Sequence, residues 1–171
     1  WPLIGHFLVD VFNLSYSNGM LSPSQRSAVM TLIHKKDDRD DINNYRPISL
    51  TNVDYRILAH VLANRLQKVI GKIVSEDQNA YIKNRYIGYN IRLISDVIDY
   101  YDIMDKSGIL LAIDFKKAFD SLEWKFMVGV LKAFNFGSSF IKWIETIYNS
   151  PEACIKNNGY LSNYFELSRG I

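Results

Sequence analysis

Apolar positions recur at helical spacing from the start of the chain. Ile4, Phe7, Leu8, Val11 and Leu14 share one face at 3.6 residues per turn, predicting a core-facing helix over residues 1–16. Asn18-Gly19 supplies its stop, because both residue types tolerate the left-handed backbone that ends helices. Residues 28–34 are apolar and β-branched, which predicts a strand. Residues 35–44 are polar, with dense charge of both signs: a solvated loop, or a finger able to touch a phosphate. Pro47 fixes a bend and biases Arg46 towards extended backbone. Thr51 and Asp54 then have the spacing of a capping box. Tyr55, Leu58, Leu62, Leu66, Val69 and Ile73 form one helical stripe, and Arg65, Lys68 and Lys72 line another face of the same helix, a solvated face in preference to a nucleic-acid contact.

Residues 75–90 are polar and irregular. A further helix over 90–104 turns Ile94, Val97, Ile98 and Tyr101 inward and stops at Ser107-Gly108. Ile109 to Ile113 is an apolar run of strand length. Leu122, Phe126, Val130 and Phe134 mark the next helix, and Phe140, Ile144, Ile147 and Tyr148 the last, which ends at Ser150-Pro151. Residues 153–156, the Asn157-Asn158-Gly159 turn and residues 160–167 read as strand, turn and strand.

Composition narrows the class. A chain of 171 residues holds one domain, or one domain and part of another. With 48% hydrophobic and 22% charged residues it is globular, not disordered. A net charge of +2 does not mark a nucleic-acid binder, so local clusters carry that question. The lone Cys154 excludes an internal disulfide and a cysteine-based zinc site, and it reads as a small buried strand residue. A reducing, intracellular compartment is expected. No apolar run approaches the ~20 residues that span a bilayer. His6, His34 and His60 lack ligand spacing and read as structural. The chain starts at Trp1 and reads as an excerpt of a longer protein.

Chemistry concentrates in residues 109–121. The apolar run ends in Asp114, and Phe115-Lys116-Lys117-Ala118-Phe119-Asp120-Ser121 follow. A carboxylate at a strand end suits a metal ion, and the lysines suit an anionic substrate; a strand–turn–helix junction with solvated charges fits the same residues. Asp120, followed by Glu123, reads as a helix cap rather than a second metal ligand. Tyr81, Lys83, Arg85, Tyr86 and Tyr89 interleave cations with rings, a weak pattern for single-stranded nucleic acid.

Taken in order, Ile33 to Lys36, Asn44 to Asn52, Ile57 to Leu66, Asp77-Gln78 and Ala112 to Asp120 resemble the reverse transcriptase of non-LTR (LINE-like) retrotransposons over nearly the whole chain. The resemblance implies an α+β, right-hand polymerase fold. Residues 1–107 would be helix-rich fingers, and 108–171 the first part of a palm with an antiparallel sheet. It implies an RNA-directed DNA polymerase that adds dNTPs to a primer 3′-hydroxyl by two-metal phosphoryl transfer. Mg²⁺ is the expected ion, with Mn²⁺ as the alternative. On this resemblance Asp114 would be the catalytic metal ligand and the Phe115 carbonyl a second ligand. Lys35, Arg46, Lys117 and Ala118 would meet the triphosphate, and Phe119 would exclude a ribose 2′-hydroxyl. Lys83 and Arg85 are expected to track template or primer. The partners implied are an RNA template, a DNA primer or target DNA, and dNTPs, without a membrane, at an intracellular, nuclear site of integration.

Some residues depart from the family pattern. His34 stands where a proline is usual, and residues 81–85 lack the usual Pro-Gly of that loop. Arg169-Gly170-Ile171 looks like the lead-in to an R-Q-G motif, with the A-D-D metal box expected beyond it, so this segment alone is expected to be inactive. The competing readings are a decayed element serving at most as a nucleic-acid-binding or scaffold domain, and an RNA-directed RNA polymerase, which Phe119 disfavours.

Overall fold

The computed structural model describes residues 1–170. Its centre is β1 (Ser27–His34), flanked on one side by β2 (Tyr45–Thr51) and on the other by β3 (Glu152–Asn157). β1 and β2 form an antiparallel hairpin, with Ile33 opposite Arg46 and Met30 opposite Ser49. β1 and β3 run parallel, with Val29 opposite Cys154. Short β4 (Tyr160–Leu161) and β5 (Phe165–Glu166) pair antiparallel with β3. The sheet is therefore mixed: the pairings within residues 108–171 are antiparallel, and the one parallel pair joins β3 to β1, from the segment expected to be fingers. The cause is connectivity: all of residues 52–151 lie between β2 and β3, and a long crossover permits a parallel neighbour where a tight hairpin does not. The strand expected over 160–167 is broken into two short pieces around residues 162–164.

The helices are α1 (Gly5–Asn18), the single turn α2 (Pro23–Arg26), α3 (Val53–Ile73), α4 (Gly88–Ile103), α5 (Trp124–Ala133) and α6 (Ser138–Ile147). Packing divides the chain into residues 1–60 with 117–171, and residues 61–116; α3 belongs to both. In the first unit the core gathers Leu21, Ala28, Ile141, Ile147, Ala153 and Cys154. α1 stops at Gly19, whose φ of +68° closes the helix as its sequence predicts. α1 meets α6 through Tyr16 and Trp143, with ring centroids 4.9 Å apart, and Lys142 Nζ stands 4.3 Å over the Tyr16 ring. In the second unit, Leu62 is buried while Arg65, Lys68 and Lys72 are exposed, as the two stripes of α3 predict.

Some expected packing does not form. Ile4, Phe7, Val11 and Leu14 are exposed, so the wide apolar stripe of α1 is not its buried side. The buried positions are Gly5 and Ser15, small residues that allow close approach. No residue of α4 is buried, and Ile94, Val97, Ile98 and Tyr101 are exposed. The largest change concerns residues 109–113, which form no strand; Ile109 is 98% exposed. An extended apolar run becomes a strand only when a neighbour takes its backbone hydrogen bonds, and no described strand pairs with it.

Asp120 does not cap α5. The helix starts at Trp124, with Glu123 at the N-cap and no side-chain capping bond. The Leu122 carbonyl accepts from the Gly170 amide at 2.9 Å, and Glu123, extended, bridges to Arg169, so the expected first turn is unavailable.

Candidate active site

Residues 116–121 form a turn. The Ser121 amide donates to the Lys117 carbonyl at 3.0 Å. Lys117 has a φ of +51°, in the left-handed region that side chains occupy at some cost. Ala118 and Phe119 are exposed at its tip. Asp114 and Phe115 precede it in exposed, irregular chain within the 61–116 packing unit.

Lys117 and Asp120 reach a cavity of about 660 Å³ in the first packing unit. Met30 and Ser49 line it from one face of the β1–β2 hairpin, and Tyr55, Trp124 and Gly170 complete the part that matters here. Side chains alternate along strands, so the pair Ile33–Arg46 belongs to the opposite face from Met30–Ser49. Lys35 lies two residues after Ile33, and its amide bonds the Asn44 carbonyl at 2.8 Å, which continues the ladder. Lys35 and Arg46 thus share the reverse face of the hairpin. The expected nucleotide residues fall into two groups: Lys35 with Arg46, and Lys117 with Ala118 and Phe119.

Polar contacts hold the cavity wall, although Arg26 Nε is buried without a hydrogen-bond partner among the described residues. Arg26 pairs with Glu152 at 3.1 Å and also donates to the Ser150 carbonyl at 2.9 Å. Gln25, almost fully buried, donates to Asp54 at 2.8 Å and ties α2 to the start of α3. Burial, with Tyr55 nearby, pushes the Tyr148 phenol up to about 12, and burial raises Tyr55 as well. Both tyrosines stay neutral at ordinary pH.

Arg85 does something the sequence does not announce. Its Nη1 donates to the carbonyls of Ser75 and Gln78, and its Nη2 to those of Gly71 and Val74, at 2.5–3.0 Å. Gly71 lies in the last turn of α3, where carbonyls need donors, and the other three acceptors follow the helix. The guanidinium fork holds the loop against the helix end, while Lys83 is exposed. His34 sets its ring edge on Tyr45 and bonds the Asp37 carbonyl at 3.1 Å, the structural role expected of it.

Trp124 and Gly170 are the residues sequence reasoning missed. The Trp124 indole N–H donates to the Gly170 carbonyl at 2.6 Å. A lone glycine at the end of a strand pattern is the available signal, since it marks a close backbone approach.

Asp114 and the Phe115 carbonyl are hard oxygen donors of the kind Mg²⁺ prefers. Among the described residues, however, no group of three potential ligands converges. Asp114 is at most part of a ligand set, and no chemical step follows from it here. No described helix is long and apolar enough to cross a membrane.

Comparison with known proteins places this geometry in context. Residues 33–170 match the family described as reverse transcriptase (RNA-dependent DNA polymerase). The chain is 33% identical over its whole length to the transposon TX1 uncharacterized 149 kDa protein of Xenopus laevis, covering 13% of that protein. It is 25% identical over 96% of its length to the retrovirus-related Pol polyprotein of the type-2 retrotransposable element R2DM of Drosophila melanogaster, covering 15% of it. Over its whole length it is 23% identical to the Pol polyprotein of a type-1 retrotransposable element R2 of Nasonia vitripennis, covering 16%. The chain thus spans 13–16% of the length of these relatives.

Proposed function

The chain belongs to the reverse transcriptase family, and from that premise we propose that it is the fingers and first part of the palm of an RNA-directed DNA polymerase that works in retrotransposition. Residues 1–107 serve as fingers and 108–171 begin the palm. The observation that carries the reading is the exposed turn Lys117–Ser121 directly after an exposed Asp114, inside the matched segment. An anionic substrate needs cations and room, and the turn offers Lys117 beside a cavity.

Reverse transcriptases use divalent metal ions. Asp114 and the Phe115 carbonyl contribute oxygen ligands to that set, the remaining carboxylates coming from elsewhere in the complete polymerase. Lys117 and Ala118 meet the triphosphate, and Phe119 reads the sugar. Lys35 and Arg46 add positive charge from the hairpin, where fixed cations offset charge on the leaving pyrophosphate. Lys83 contacts the nucleic-acid backbone, and Arg85 serves by holding the loop that presents it. The partners are an RNA template, a DNA primer or target, and dNTPs.

Primer extension on an RNA template tests the reading. The complete protein should extend a DNA primer with dNTPs, and Asp114→Ala should abolish extension while leaving the fold intact by circular dichroism. Near-normal extension by Asp114→Ala would remove Asp114 from the chemistry. A complete wild-type protein that binds template but never extends would favour the relic.

A further inference from the structure

A set of contacts ties the start of α5 to residues 169–170. The Trp124 indole N–H holds the Gly170 carbonyl at 2.6 Å, and the Gly170 amide holds the Leu122 carbonyl at 2.9 Å. Glu123 and Arg169 pair as an isolated antiparallel bridge. Gly170 adopts a φ of +90°, and a Cβ there would lie 3.2 Å from the Asp120 carbonyl oxygen. Each contact grips residues 120–124, which follow Phe119 without a break.

Nothing about starting a helix requires tryptophan. A half-buried indole, however, needs a partner for its N–H. Here the partner is main chain 46 residues away. The ring itself is braced by Tyr148, with centroids 5.2 Å apart. Trp124, Asp120, Lys117 and Gly170 all line the same cavity. The clasp therefore holds the Lys117–Asp120 turn to the cavity wall by contacts at and just beyond its end.

We propose that Trp124 is a positioning residue for nucleotide selection: by gripping Gly170 it fixes the turn that carries Phe119, and this fixed turn sets discrimination between deoxyribose and ribose. The inference rests on the polymerase reading above. Phe119 can reject a 2′-hydroxyl only while its backbone cannot retreat. A loosened clasp lets the turn move and the ring yield.

Trp124→Phe keeps a ring against Tyr148 and removes the donor. Gly170→Ala strains the clasp from the other side. In the complete polymerase, each should raise the rNTP-to-dNTP ratio of kcat/KM by about three- to tenfold, the shift that loss of one hydrogen bond produces. kcat for dNTPs should fall by less than that ratio changes. A purely structural role would lower the thermal midpoint and leave the ratio alone; an unchanged ratio in both variants, beside an active wild type, overturns the proposal. An inactive wild type instead removes the polymerase reading, and the proposal with it. In the 171-residue chain, hydrogen exchange at the Trp124 indole tests the clasp by itself. Protection is expected, and exchange at the rate of free indole overturns it.

Discussion

Arg85 reaches back fourteen residues to donate from Nη2 to the carbonyl of Gly71 at 2.8 Å, near the end of α3. Three further carbonyls, of Val74, Ser75 and Gln78, take the remaining Nη hydrogens. A lysine cannot copy this, because one ammonium group lacks the planar fork that spans separated acceptors. Arg85→Lys should cost about 2 kcal/mol of local stability. Hydrogen exchange should quicken across residues 75–87 and little in the β1–β3 core. Unchanged protection of the loop would show that the four bonds hold nothing in solution.

Cys154 is 1% exposed, beside fully buried Ala153 on β3. Its thiol should resist a disulfide-exchange reagent in the native chain and react at once in denaturant. Cys154→Ser puts a more polar hydroxyl at this buried site, where the Tyr164 side chain already hydrogen-bonds the thiol, and should lower stability by about 1 kcal/mol. Chemical denaturation with thiol titration measures both. Rapid native labelling would mean that β3 opens far more often than its central place in the sheet allows.

Phe119 is 56% exposed at the tip of the turn, so it can be replaced without opening a core cavity. In the complete polymerase proposed above, with Phe119 as its sugar-reading residue, Phe119→Val should raise ribonucleotide incorporation at least about tenfold relative to dNTPs, because steric exclusion of one hydroxyl is worth that much in a shaped site. Single-nucleotide incorporation with matched rNTP and dNTP reads the ratio directly. Equal discrimination by wild type and variant would take the sugar away from this residue.

Most helix positions and the first strand were legible because their signals are local. Gly19 ends α1 where the sequence puts a glycine, and β1 falls where β-branched residues put it, whereas Pro47 announced only extended backbone at Arg46 and not the strand β2 that pairs with β1. Three features were not legible, each for a long-range reason. The parallel partner of β1 lies more than a hundred residues on, and periodicity carries no information about pairing across that distance. Ile109 to Ile113 has strand composition, yet composition cannot supply a neighbour. Asp120 has the letters of a cap, but Gly170 takes the Leu122 carbonyl and delays the helix to Trp124. At the site, the sequence offers a motif around Asp114 and Phe119, whose roles stay part of the proposal. The clasp was not legible, because it depends on one indole and one main-chain carbonyl meeting in space.

Tyr148 links the cavity wall to pH. Burial, with Tyr55 nearby, raises its phenol from 10.0 to about 12. The unfolded chain releases this proton near pH 10, whereas the folded chain keeps it until about 12. Between those values the folded state binds more protons than the unfolded state, so stability falls as pH rises through the window. The contribution is fully present below pH 10 and gone above about 12. Two pH units correspond to about 2.7 kcal/mol, which partial solvent exposure reduces to about 1–2 kcal/mol. Tyr148→Phe keeps the ring against Trp124 and removes the titrating group. Thermal midpoints of the wild type should drop from pH 10 to 12, and those of the variant should drop less. Parallel curves for the two proteins would place the alkaline loss elsewhere, with Tyr55 next in line because burial raises its phenol too.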